Sequence, residues 1–214
     1  MSQNHNTLFA TTVEKLLKGE IICSVSNEAL FNFLEEPINQ EDVDSYLRRI
    51  ERTLKQTQDG LGYFSALRHI NTPASKAVIK QNFNQMINDI EPLVRWLQVA
   101  QSAESLNSTL NVGDILRGSE LLSAIESAPA LIDELDKLSR SRLFGNTSTG
   151  AKKQLDSILR ILCEHSYLVT SGSSGSLYIA TAKWSRFYDL LQFISSHEQI
   201  EKSEPEQEQK ELIS

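Results

Sequence analysis

A mainly α fold with small β-hairpin wings is what this sequence predicts, and three observations predict it. Apolar residues recur at helical spacing through most of the 214 residues. In each half, a helical stretch is followed by a short hairpin signal, the clearer one in the C-terminal half. Hydrophobic residues make up 40% but aromatics only 7%, so the core must rest mainly on Leu and Ile.

The first dozen or so residues read as a frayed start. Val13, Leu16 and Leu17 then mark a helix that Gly19 stops. Ile21 to Val25 reads as a short strand. Asn27 caps a helix through Leu30, Phe33 and Leu34, which ends at Pro37. The next helix opens at Asn39 or Gln40, with Glu41 and Asp42 near its positive end. Val43, Tyr46, Leu47, Ile50 and Leu54 form its apolar stripe, and Arg48, Arg49, Arg52 and Lys55 fall outside it. Asp59-Gly60-Leu61-Gly62 is a turn before a short strand over Tyr63 to Leu67.

Pro73 opens a long helix carrying Val78, Phe83, Met86, Ile87, Ile90, Leu93, Val94 and Leu97, which Pro92 should kink or split. Val112 to Ile125 reads as further helix interrupted at Gly118, and Pro129 precedes a helix through Leu138. Thr147 to Gly150 is a capping region for a helix from Ala151 to about His165. Leu155, Ile158, Leu159 and Leu162 share one arc of that helix, opposite Lys152, Lys153, Asp156, Arg160 and Glu164. Tyr167 to Thr170 and Leu177 to Ala180 read as a hairpin around a glycine-serine loop. A last helix holds Trp184, Phe187, Tyr188 and Leu191 as core.

The first module thus reads as helix, helix, helix, short hairpin, and the C-terminal one as a hairpin following directly on a helix, so the fold class is tandem winged-helix domains joined by a helical middle segment. The expected limits are 1–70, a helical segment 71–136, a second winged helix 137–196, and an acidic, disordered tail 197–214.

Charge follows this division. The net charge is −7, which disfavours indiscriminate nucleic-acid binding. Between Lys137 and Asp189, however, eight basic residues stand against Asp156, Glu164 and Asp189, a balance of +5. From Glu198 to Glu211, six glutamates stand against Lys202 and Lys210, a balance of −4.

Catalytic and cofactor chemistry find no constellation. His5, His69, His165 and His197 are scattered, and Cys23 and Cys163 read as reduced, buried thiols. There is no Walker-type loop, and Gly172 to Ser176 lies between strands rather than before a helix. No metal, no cofactor and no catalytic residue is expected. No leader or membrane span is expected either, which points to a soluble, cytoplasmic protein.

The expected chemistry is binding. Lys152, Lys153 and Arg160 would meet DNA phosphates, with Lys183 and Arg186 extending the same surface. Asp156 and Glu164 on that side, and the lack of an Asn or Gln cluster, argue against base reading. In the first module, Arg48, Arg49, Arg52, Tyr63 and Phe64 form a candidate partner surface. The surplus of apolar helices in the N-terminal half points to a homodimer.

Several segments carry a family resemblance. These are Arg142-Leu143-Phe144-Gly145, Lys152-Lys153-Gln154-Leu155, Ile158-Leu159, Tyr167-Leu168-Val169, Tyr178-Ile179-Ala180-Thr181 and Trp184. With Tyr46-Leu47-Arg48-Arg49 and Gly62-Tyr63-Phe64, the chain resembles the MukE/MksE family from roughly Thr11 to Ile194. The resemblance implies a non-ATPase accessory subunit of a bacterial condensin-like SMC complex. It would bind a kleisin subunit beside an SMC-type ATPase, in chromosome organisation or plasmid restriction. The first wing is shorter than the family pattern. The alternatives are a winged-helix transcriptional regulator and an adaptor that binds protein alone.

Overall fold

A computed structural model describes residues 2–68, 73–104, 109–171 and 176–196. The side chains of Val78, Phe83 and Met86, the loop tip 172–175 and the tail from 197 onward lie outside the described residues. Mainly helical structure with two small antiparallel sheets accounts for what is described.

The N-terminal module contains α1 (Ser2–Leu17), α2 (Glu28–Glu35), α3 (Pro37–Arg48), β1 (Arg52–Gln56) and β2 (Tyr63–Leu67). Helix α1 replaces the expected frayed start because tertiary contacts tie it down. Thr12, Val13 and Leu16 are buried, Phe9 meets the edge of Tyr46, and His5 packs on Phe33 while its ring hydrogen-bonds Asn39. The expected strand after Gly19 shrinks to one bridge, Ile22 with Tyr63, before the chain turns at Ser24–Ser26. Asn27 caps α2 as expected, its side chain accepting from the Leu30 N–H at 3.0 Å.

Helix α3 begins two to three residues earlier than expected, with Pro37 in its first turn, and stops at Arg48. Ile50 and Leu54 therefore leave the predicted stripe. Glu51 takes a left-handed φ of +58°, reversing the chain into β1. Asp44 holds that reversal. Its carboxylate accepts from the Leu54 N–H and the Thr53 hydroxyl, each at 2.8 Å, and pairs with Arg48.

The second assembly comprises α4 (Pro73–Glu104), β3 (Ile115–Arg117), α5 (Gly118–Ser127), α6 (Pro129–Ser139), α7 (Ala151–Glu164), β4 (Leu168–Ser171), β5 (Leu177–Ala180) and α8 (183–196). Pro92 does not split α4, although it removes a hydrogen bond. The helix is held beyond it by Leu93, Trp96, Val99 and Ala100, all buried in the main core. In place of the first part of the helix expected over Val112 to Ile125 stand a turn and strand β3, and Gly118 opens α5 rather than interrupting a helix. Leu116 points inward while Ile115 and Arg117 point out, and β3 pairs with β5 to give the sheet order β3-β5-β4. The capping region expected at Thr147 to Gly150 supplies the N-cap residue of α7, Gly150 at φ +96°, but no side-chain cap bond.

Both halves therefore share a plan. In each, the last strand of the hairpin lies between its partner and a strand or bridge that precedes the middle helices. Two apolar cores match the halves. One joins Leu16, Leu34, Val43, Leu47 and Tyr63. The other runs from Leu93 to Phe187, so the middle helices and the C-terminal hairpin share one interior.

The halves meet where the β1–β2 turn reaches the start of α8. The Ala182 N–H donates to the buried Cys23 sulfur at 3.4 Å, and the Gln58 N–H faces the Asp189 carboxylate at 3.4 Å. Gly62 is what allows this approach, since a Cβ there would lie 2.6 Å from the Ala182 Cβ and 3.0 Å from Ile21. Both cysteines are free, Cys23 buried and Cys163 half-buried.

Gly62→Ala should destabilise the protein by about 1–3 kcal/mol through overpacking, and Ala182→Gly added to it should restore part of the loss. Thermal unfolding of the two single variants and the double variant measures this; a Gly62→Ala protein as stable as the parent would disprove the crowding. Asp44 supplies a pH-dependent test. Burial pushes its carboxyl up, but the hydrogen bonds from Leu54 and Thr53 and the Arg48 charge outweigh that and hold it below its ordinary value. The stabilisation is therefore complete above the ordinary carboxylate range and is lost as pH falls through the depressed value. Asp44→Ala should cost about 1–3 kcal/mol at neutral pH, with the gap from the parent closing in acid, as urea unfolding across pH would reveal.

Candidate macromolecule-binding surfaces

Helix α7 is built to present one face. Leu155, Ile158, Leu159 and Leu162 are buried, as their spacing predicts. Gln154 is buried with them, and its amide donates to Asp136 at 2.8 Å and to the Ser148 carbonyl at 3.1 Å. These bonds fix the first turn of α7 against α6 and the preceding loop. Lys152, Lys153, Asp156 and Arg160 are left pointing to solvent.

The five cations expected to contact DNA fall into three groups. Lys152 and Lys153 are exposed and make no ion pair among the described residues. They stand in the first turn of α7, which contains no acidic residue. Arg160 is exposed but paired with Glu164 one turn on. Lys183 and Arg186 are half-buried and used internally. The Lys183 ammonium donates to the His165 carbonyl at 2.6 Å and lies 4.9 Å above the Tyr167 ring. Burial lowers its pKa, against the opposing pull of Asp89. The Arg186 guanidinium lies 4.6 Å above the Phe64 ring, across the junction between the halves.

The expected partner surface of the first module is also dispersed. Arg48 pairs with Asp44, and Arg52 donates to the Ser65 hydroxyl at 3.2 Å. Arg49 is exposed at the end of α3. Tyr63 is only 1% exposed. Its hydroxyl donates to Glu35 at 2.7 Å and accepts from Gln40 at 2.9 Å. Burial first, then Glu35, pushes its pKa well up. Phe64 lies beneath Arg186. Arg48 and Tyr63 do line a common cleft of about 380 Å³ between α3 and β1, with Pro37, Glu41 and Leu54 among its other walls.

Sequence reasoning missed Asp44, Gln40 and Glu35, the polar residues that organise this cleft. The one available signal was the four-residue spacing of Asp44 and Arg48 on a helix. It also missed Asp59, whose carboxylate spans the junction. Burial raises its pKa, but hydrogen bonds from Ser185, Thr57 and Leu61 bring it below the ordinary value. Asp189 opposite is raised, mainly by burial and further by Asp59.

Among the described residues no group of three or more His, Cys, Asp or Glu side chains could hold a metal ion. Nor is any described helix long and apolar enough to cross a membrane. What the geometry offers is an exposed pair of lysines on a firmly seated helix, a small polar cleft, and a junction that fixes the halves together.

Comparison with known proteins gives one assignment. No curated protein matches the chain. A family model described as condensin complex protein MksE matches residues 7–192, which takes in both modules and the helices between them. The chain belongs to the MksE family of condensin complex proteins.

Proposed function

We propose that this chain is the accessory, non-ATPase subunit of a bacterial condensin-like SMC complex, acting in the cytoplasm on the nucleoid. Both modules are read as winged helices, with β1–β2 and β4–β5 as their wings. The subunit binds a kleisin partner and, through Lys152 and Lys153 of α7, the DNA backbone without sequence preference. The family match over residues 7–192 carries the assignment to a condensin complex. The DNA contact is supported by two exposed lysines that no described acid neutralises. Arg160 adds to that face once its pairing with Glu164 loosens. Lys183 and Arg186 serve it by positioning α8. A plasmid-restricting complex and a chromosome-organising one would use the same contact.

Sequence-independent binding is favoured over an operator-reading regulator, because the outward side of α7 has no exposed Asn or Gln and its one arginine, Arg160, is paired with Glu164. The cleft lined by Arg48 and Tyr63, with the exposed Arg49 beside it, is the proposed kleisin contact. Ile38, 71% exposed, and Ile50, 44% exposed, support docking of a second copy on the N-terminal module.

Lys152→Glu with Lys153→Glu should weaken binding to a short duplex by about tenfold or more at low salt, while leaving the unfolding midpoint and kleisin co-purification unchanged. Equal affinity for scrambled duplexes is expected of the parent chain; a strong preference for one sequence would favour the regulator. Ile38→Glu should shift sedimentation toward the monomer, and an unchanged sedimentation coefficient would reject that face as the dimer contact.

A further inference from the structure

Eight basic residues occupy the stretch from Lys137 to Arg186, and five of them are engaged within the fold. Lys137 pairs with Glu134, Arg140 with Asp136 and Arg160 with Glu164. Lys183 caps the His165 carbonyl and Arg186 covers Phe64. Arg142 is exposed before α7, with the Asp89 charge acting on it from a distance. Lys152 and Lys153 are the two on α7 itself without an ion pair among the described residues, and they lie beside the positive end of its dipole, where cations are disfavoured. An anionic partner relieves both the repulsion between the lysines and their conflict with the helix.

The same chain carries such a partner. Residues 197–214 follow α8 directly and hold six glutamates and two lysines, a balance of −4. Glu204, Glu206 and Glu208 recur every second residue, the period that sets side chains on one side of an extended chain. Eighteen residues reach up to roughly 60 Å when extended, whereas α7 is only about 21 Å long.

We propose that the acidic segment 197–214 docks along the outward face of α7, over Lys152 and Lys153, and competes there with DNA. The proposal rests on the reading of that face as the DNA contact. Tethering gives the segment an effective concentration in the millimolar range, so even a weak contact is populated until a longer polyanion displaces it. The occupant is this segment rather than a second protein because its charge is complementary and it is always present.

The test uses the full chain and a variant with all six tail glutamates changed to glutamine (E198Q, E201Q, E204Q, E206Q, E208Q, E211Q). Both are titrated with a short fluorescent duplex at low salt. The parent chain is also treated with a carbodiimide, which joins adjacent carboxylates and amines, and the products are mapped by mass spectrometry. The expected results are binding about three- to tenfold tighter in the variant, and parent crosslinks from tail glutamates concentrated on Lys152 and Lys153 that added DNA suppresses. Equal affinities, with both proteins binding, overturn the competition and leave the DNA contact standing. Tighter binding without crosslinks at these lysines overturns docking in favour of general charge repulsion. Failure of both proteins to bind DNA overturns the DNA reading itself, and competition with it.

Discussion

Gly62 and Ala182 come so close that a side chain at the glycine has no room, and the placement of one module on the other follows from that contact. The β1–β2 turn can reach α8 only because its last residue has no Cβ. Once there, it brings the Gln58 amide to Asp189, Asp59 to Ser185 and Phe64 beneath Arg186. The buried Cys23 sulfur accepts the Ala182 N–H on the same seam. The β1–β2 hairpin, with five-residue strands, is no shorter than β4–β5, with four-residue strands.

That seam also sorts the charges. Cations near it are drawn into cation–π and capping contacts, where half-burial makes each contact worth more than it would be in water. Cations on α6 and the far part of α7 find acids one turn away. Lys152 and Lys153 escape both fates because Gln154, between them and the core, spends its polar groups on Asp136 and Ser148. The exposed pair is therefore a consequence of how α7 is seated. Composition alone could not have singled it out from its basic neighbours.

Helix α7 and the β4–β5 hairpin were legible because their patterns are local: Leu155, Ile158, Leu159 and Leu162 keep helical spacing, and two β-prone runs flank glycine and serine. Strand β3 was not legible. Three residues cannot display an alternation, and the partner of Ile115 is Ile179, far along the chain. Helix α1 was hidden for a similar reason, since Phe9 and His5 gain their value from Tyr46 and Phe33. Ile50 and Leu54 fitted the helical stripe and misled it, because the left-handed turn at Glu51 owes its stability to Asp44 rather than to a glycine. On α7 the spacing separated the buried side from the charged, outward side but could not tell free cations from engaged ones. Arg186 over Phe64 joins residues more than a hundred positions apart, and only the fold reveals it.

Having just two unengaged lysines on α7 sets the thermodynamic character of any DNA contact made there. Each phosphate neutralised releases roughly 0.9 of a condensed counterion, so a two-lysine contact gains little from ion release, and its affinity depends only gently on salt. Such a contact cannot retain a duplex by itself at physiological ionic strength. Only several such faces displayed together would retain one, and they would release it readily when one face detached.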